Sequence, residues 1–144
     1  GGSKVSTKID LLENLALKTN HLIVGGGIAN SLLKARGTYV GNSLVEKKSE
    51  ETAKRLIQNY PNIILPEDVV CAKSFSQNAS GKVKAIDSIV EDDQILDFGP
   101  NSLNKMSRCC CKRMLSFEVS NGIISEKIGV LKSQRLLASL LRYL

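Results

Sequence analysis

Residues 22–30 read Leu22-Ile23-Val24-Gly25-Gly26-Gly27-Ile28-Ala29-Asn30. The first three are apolar and end at glycine, the pattern of a short strand buried on both faces. Three glycines follow at once. From Ile28 to Lys34 apolar residues return at helical spacing, and Gly37 stops them. A strand, a glycine turn and a helix in that order belong to a sheet whose ligands sit beyond the carboxyl ends of its strands.

The flanking segments repeat the alternation. Ile9, Leu12, Leu15 and Ala16 recur at helical spacing, with Ser6 or Thr7 near the start and Lys18 near the end. Residues 46–60 form a charged amphipathic helix with Ala53, Leu56 and Ile57 on its inner face, ended by Pro61. Residues 62–65 and 69–72 are short apolar strands around Pro66-Glu67-Asp68. Residues 76–84 read as a polar loop with one strand edge, and Asp92-Asp93 as a solvated turn. Ile95-Leu96-Asp97-Phe98 is a buried strand, and Asn101 or Ser102 can cap a helix after Gly99-Pro100. This order predicts an α/β fold of three layers, a mostly parallel sheet with helices on both faces, as in a partial Rossmann-like nucleotide-binding domain.

The opening residues, Gly1-Gly2-Ser3-Lys4-Val5-Ser6-Thr7-Lys8, carry the chemistry. Glycines let backbone approach a ligand, and Lys4 and Lys8 are expected on one face of the following helix. Helix-start N–H groups and ammonium charges together suit a phosphate chain. Such a loop at residue 1, with no leader before it, suggests a piece of something longer.

Bulk properties narrow the classes. The chain has 144 residues, 42% apolar and 24% charged, ordinary for one globular domain. No apolar run is long enough to span a bilayer, so no membrane association is expected. Four cysteines without regular spacing argue for a reducing, cytoplasmic setting rather than a disulfide framework. The net charge of +6 is uneven: residues 1–107 hold 13 Lys/Arg against 12 Asp/Glu, and residues 108–144 hold 7 against 2. No aromatic residues alternate with the basic ones, so no nucleic-acid partner is expected.

Five motifs occur in register: GGSKVSTK at 1–8, LIVGGGIAN at 22–30, VGNSL at 40–44, LPEDVV at 65–70 and ILDFGP at 95–100. Together they resemble the C-terminal, nucleotide-binding domain of phosphoglycerate kinase, from residue 1 to about 107. The resemblance implies phosphoryl transfer between ATP and 3-phosphoglycerate (1,3-bisphosphoglycerate and ADP in the other direction) with Mg2+, in glycolysis, by a protein that is usually monomeric. It gives Lys4 and Lys8 catalytic roles along the nucleotide phosphates. It assigns Gly1, Gly2, Ser3, Gly26 and Gly27 to the nucleotide cleft, Leu44 and Leu96 to apolar contact with adenine, and Gly99 to the turn beneath. No metal ligand is assigned. The family's basic patch for phosphoglycerate lies in an N-terminal domain without counterpart here. Its Trp-Asn-Gly-Pro strand and final glycine-rich loop have none either. The fragment alone is therefore expected to be inactive; the alternatives are a non-catalytic nucleotide-binding fragment or a non-functional truncated product. A half-domain is also expected to be marginally stable.

Residues 108–144 depart from the family pattern and form an unmatched basic tail. Codons for Arg108-Cys109-Cys110-Cys111-Lys112-Arg113 read one base later give Asp or Gly, three residues drawn from Ala and Val, Lys or Arg, then Glu or Gly. That would continue the expected helix, which suggests a frame shift near Ser107. Poor order is expected over 108–130, with a short amphipathic helix around Leu136, Leu137, Leu140 and Leu141.

Simpler roles fit the remaining candidates. His21 reads as a loop residue before a strand, without a catalytic role. Cys71 reads as a small buried apolar residue. Cys109, Cys110 and Cys111 cannot all face one ion from a regular element, and metal sites favour wider spacing.

Overall fold

The computed structural model describes Gly2, residues 4–74 and residues 80–110, with the Cys110 side chain excepted. Expectations for Gly1, Ser3, the 75–79 part of the polar loop and the tail from Cys111 lie outside the described residues.

Helix α1 (Ile9–Lys18) leads into strand β1 (Leu22–Ile23), then helix α2 (Gly26–Ala35) and helix α3 (Glu50–Asn59). Strands β2 (Ile63–Ile64), β3 (Asp68–Ala72), β4 (Lys82–Ala85) and β5 (Gln94–Phe98) follow, and helix α4 (Pro100–Cys110) closes the described part. The helices fall close to where apolar spacing predicts them, except that α3 begins at Glu50 and not at residue 46: Glu46 is held in the preceding loop by its bonds with Ser6 and Ser31. Leu12 and Ala16 of α1, and Ala53 and Leu56 of α3, are buried, with Ile9, Leu15 and Ile57 partly buried beside them.

Strand pairing differs from the expected mostly parallel sheet. β1 and β2 pair in parallel, Leu22 opposite Ile63 and Ile23 opposite Ile64. β3, in contrast, is the centre of a three-stranded sheet and runs antiparallel to both β4 and β5. Every residue of β3 is buried, whereas β4 is largely exposed and β5 half-buried. A central strand buried along its whole length shows no alternation, so sequence periodicity does not decide its direction. The three-layer description therefore does not extend to these five strands, although the α/β class holds.

The main core gathers Val5, Leu12, Leu22, Val24, Ile28, Leu32, Ala53 and Leu56 between the helices and the parallel pair. Burying each large aliphatic side chain contributes about 1.5–3 kcal/mol. Asn62 ties this core together at one end. Its amide donates to the carbonyls of Ala16 and Thr19, at 2.7 and 2.8 Å, at the C-terminus of α1. A second, smaller cluster holds Val69, Cys71 and Ile89, so Cys71 is buried as expected. Asp93 is not the solvated residue expected. Its carboxylate is buried, pairs with Lys84 Nζ and accepts from Val90 N at 2.9 Å.

The start of α4 is held by a side chain from far upstream. Asp68 accepts from Asn101 N at 2.9 Å and from Ser102 N at 2.6 Å, filling the cap role at the helix start. Ser102 Oγ returns the contact, accepting from the N–H groups of Glu67 and Asp68 and donating to Asp68 O. Burial opposes ionisation of Asp68, but the Ser102 and Asn101 hydrogen bonds outweigh it and hold its carboxyl below the usual range.

Candidate functional site

The glycine turn leaves β1 at its carboxyl end. Gly25 is extended, and Gly26 then adopts φ of 66°, the left-handed region where a side chain is strained. That single residue bends the chain so that α2 starts directly beyond the strand. The first turn of α2 carries no acidic residue. Its N-terminal partial positive charge is therefore not offset locally, which favours an anion there.

The opening loop comes to this turn. Gly2 O accepts from Ile28 N at 2.9 Å. A Cβ on Gly2 would lie 3.2 Å from both Ile28 Cδ1 and Lys8 Cε. The loop thus lies against the first turn of α2, with the Lys8 stem alongside. The segment bearing the lysines is not one helix face, as expected from sequence. It is a turn closed by the bond from Lys8 N to Val5 O at 2.9 Å, and α1 begins only after Lys8. Lys4 and Lys8 flank this turn, with Lys4 exposed and Val5 fully buried beneath. Neither Ser6 nor Thr7 caps α1: Thr7 Oγ1 donates to Lys4 O, and Ser6 turns to Glu46.

Leu44 and Leu96 are reached from two directions. Leu44 is 56% exposed, and its carbonyl accepts from Asn30 on α2 at 3.2 Å. Leu96 is half-buried on β5. The neighbouring residues join the two segments: Ser43 Oγ accepts from Ile95 N at 2.9 Å and donates to Val40 O. Asn42 N also donates to Asp93 O at 2.8 Å. The 40–44 loop is thereby fastened both to α2 and to β5.

Gly99, expected in the turn beneath the cleft, follows β5 directly and packs on Asp68. It is buried, its N–H donates to Asp68 O, and a Cβ there would collide with the Asp68 carboxylate. Its lack of a side chain serves the Asp68–Ser102 contact. Gly27 is buried in the first turn of α2, with its carbonyl accepting from Ser31 Oγ at 2.9 Å. Gly26 is the exposed member of the triplet.

Several contributors were not foreseen. Phe98 closes over the turn, since a Cβ on Gly25 would lie 2.9 Å from its ring. Asn30, Ser31 and Glu46 brace the surrounding loops. Buried polar positions on the α2 stretch, Asn30 and Ser31 amid apolar residues, were the available signal. A separate cavity of about 500 Å³ is lined by His21, Asn101, Asn104, Lys105, Arg108 and Cys109. His21 precedes β1 and Gly25 follows it, so this cavity opens at the other end of the strand. His21 is exposed and lies in the loop before β1, as expected. Among the described residues no group of three His, Cys, Asp or Glu side chains could hold a metal ion. Among the same residues no helix is long and apolar enough to cross a membrane.

The arrangement defines an α/β protein with a glycine-lined, positively polarised helix start beyond a parallel strand. The profile of the phosphoglycerate kinase family matches residues 1–118. The chain belongs to the phosphoglycerate kinase family. Curated relatives agree. Phosphoglycerate kinase of Chelativorans sp. (strain BNC1) is 49% identical over 110 residues, covering 74% of this chain and 28% of the relative. That of Methylorubrum extorquens (strain PA1) is 48% identical over 107 residues, covering 72% and 27%. Among solved structures, phosphoglycerate kinase from Coxiella burnetii matches with TM-score 0.89 and 37% identity, over 98% of this chain and 38% of that one. The enzyme from Pyrococcus horikoshii OT3, at 21% identity and TM-score 0.63, covers 78% and 30% and shares the fold. The 144 residues span just over a quarter of the length of these curated relatives.

Proposed function

We propose that these residues form one wall of the nucleotide cleft of a phosphoglycerate kinase. The complete protein would transfer a phosphoryl group between 1,3-bisphosphoglycerate and ADP. The observation that carries this reading is the hydrogen bond from Ile28 N to Gly2 O, which draws the lysine-bearing loop onto the start of α2. In that position Lys4 and Lys8 would run along the nucleotide phosphates. The charge spreading over the transferred group would be met by their ammonium groups and by the helix-start dipole. Gly2, Gly26 and Gly27 would admit the nucleoside, and Leu44 and Leu96 would lie against the adenine ring. Gly1 and Ser3 belong to the same proposed set.

Glycine relieves the strain of φ 66° at Gly26, and methyl groups at Gly2 and Gly25 would crowd Ile28, Lys8 and Phe98, so the bare backbone facing the proposed cleft is required by the fold itself. Mg2+ would arrive on the nucleotide phosphates. The β1–β2 pair would be part of a larger parallel sheet with helices on both faces. The 3-phosphoglycerate site would lie on an N-terminal domain outside these 144 residues. The reading carries with it a monomeric protein of the cytoplasm. Residues 108–144 are proposed to be out of frame, although the family profile runs on to residue 118; sequencing the coding DNA and translating its other frames decides the point.

The 144-residue chain by itself should bind ADP weakly, with Kd of about 1 mM, and should turn over no substrate in a coupled assay. Calorimetric titration with ADP tests the first point. Heat indistinguishable from dilution at millimolar protein would refute the cleft-wall reading, and measurable turnover would refute the predicted inactivity.

A further inference from the structure

Ser6 lies between the two lysines, and its contacts leave the loop entirely. Its N–H donates to Glu46 Oε2 at 2.9 Å, and its hydroxyl donates to Glu46 Oε1. Glu46 is fixed in turn. Its own N–H donates to Ser31 Oγ at 3.0 Å, and Ser31 Oγ donates to Gly27 O at 2.9 Å. One unbroken path of hydrogen bonds therefore runs from the lysine turn through Glu46 and Ser31 to the glycine turn. The bond from Ile28 N to Gly2 O joins the same two segments from the other side. The turn is thus held at both ends, with buried Val5 between.

We propose that Glu46 is a positioning residue for nucleotide phosphates: through Ser6 it sets the lysine turn at a fixed place over the start of α2. This inference rests on the nucleotide reading above. Glu46 touches no ligand in this role. It accepts both Ser6 donors, so the backbone between Lys4 and Lys8 cannot swing away from the glycine turn without breaking two charge-assisted bonds. Positioning of this kind acts on the lysines that meet phosphate, whereas Gly2, on the nucleoside side, stays held by its own bond from Ile28 N. The Ser6 hydroxyl and N–H also hold the Glu46 carboxyl below its usual range, with Ser49 and the Val5 backbone adding to this and the small desolvation opposing it. The acceptor is accordingly ionised at neutral pH.

The test compares ADP with adenosine, which lacks the phosphates, on the full 144-residue chain. Affinities are read from amide shifts in wild type, Glu46→Ala, Ser6→Ala, the double variant and Glu46→Gln, with thermal melts confirming folding. Glu46→Ala, which loses both bonds, should weaken ADP about five-fold, and Ser6→Ala, which keeps the N–H bond, about two-fold, both leaving adenosine unchanged. The double variant should be no weaker than the worse single one. Glu46→Gln keeps an acceptor for the Ser6 N–H and should recover most of the affinity. Equal losses for ADP and adenosine would make the contact merely structural and overturn the proposal. Tighter ADP binding by both Glu46 variants would do the same, leaving Glu46 as a nearby repelling charge. A wild-type chain that binds neither ligand refutes the nucleotide reading itself. A wild type that binds ADP with all variants equal to it refutes only the role of Glu46.

Discussion

Asp68 and Gly99 should behave as one unit under mutation. The Asp68 carboxylate accepts two N–H groups at the start of α4, from Asn101 and from buried Ser102. Removing it in Asp68→Ala forfeits a helix cap and strands a buried donor, a loss of about 3 kcal/mol from cap and unsatisfied-donor costs combined. Gly99→Ala acts on the same space from the other side. Its Cβ would collide with that carboxylate, an overpacking that costs about 2 kcal/mol. In the double variant the obstacle is gone, so the second substitution adds little. The pair together should cost about 3 kcal/mol, where independent sites would cost about 5 kcal/mol. Urea unfolding followed by circular dichroism at neutral pH measures this, in a stabilising osmolyte if the variants are marginal. Additive losses would refute the contact that α4 is argued to depend on. Acid provides a second check. The folded pKa of Asp68 is lowered, so its contribution is complete above the unfolded pKa of about 4 and fades as pH falls through the lower folded value. The wild-type and Asp68→Ala curves should converge only below about pH 4.

Three further outcomes follow from the same geometry. Asp93→Asn breaks the pair with Lys84; because Lys84 is partly exposed, the cost should be about 2 kcal/mol, below that of a fully buried pair. Burial opposes ionisation of Asp93, but Lys84 and the Val90 N–H lower its pKa on balance; the difference between variant and wild type should therefore be full at neutral pH, shrink only in acid, and would count against the pair if it grew there. Gly41→Ala should cost about 3 kcal/mol by urea unfolding, since φ is 57° and a Cβ would lie 2.5 Å from the carbonyls of Val90 and Asp93; a neutral variant would mean that the 40–44 loop is not seated against them. Cys71 is buried, with its thiol pushed up to about 11 mainly by burial; iodoacetamide should leave it unmodified in the native chain and alkylate it in urea, as peptide mass spectrometry can show, and native labelling would contradict its place in the second core.

The sequence made the strand–turn–helix unit plain because its signals are local. Leu22-Ile23-Val24 is apolar, Gly26 supplies the one backbone conformation that the turn needs, and α2 follows with helical spacing. The helices α1 and α3 were legible for the same reason. What stayed hidden was decided by residues far apart in the chain. The cap of α4 comes from Asp68 on β3, so nothing near Gly99 in the chain announces that its bareness accommodates a carboxylate. The antiparallel pairing of β3 depends on partners 11–29 residues away, and a fully buried strand carries no alternation to reveal it. Asp93 looked like half of a solvated turn until Lys84 closed on it. Lys4 and Lys8 have helical spacing, but Val5 is buried and Ser6 is drawn to Glu46, so a turn forms instead. Long-range polar contacts of this kind leave only one trace in sequence, a polar residue inside an apolar run, as at Asn30 and Ser31.

The central claim is that the opening loop and the triple-glycine turn act as one wall of a nucleotide cleft. Amide spectra of the ¹⁵N-labelled chain during titration with ADP test it most directly. The account predicts that Gly2, Gly26 and Gly27 shift together along one saturating curve, while amides of β4, such as Val83 and Lys84, stay in place. Shifts confined to the cavity residues His21, Asn104 and Lys105, with the glycines unmoved, would contradict it.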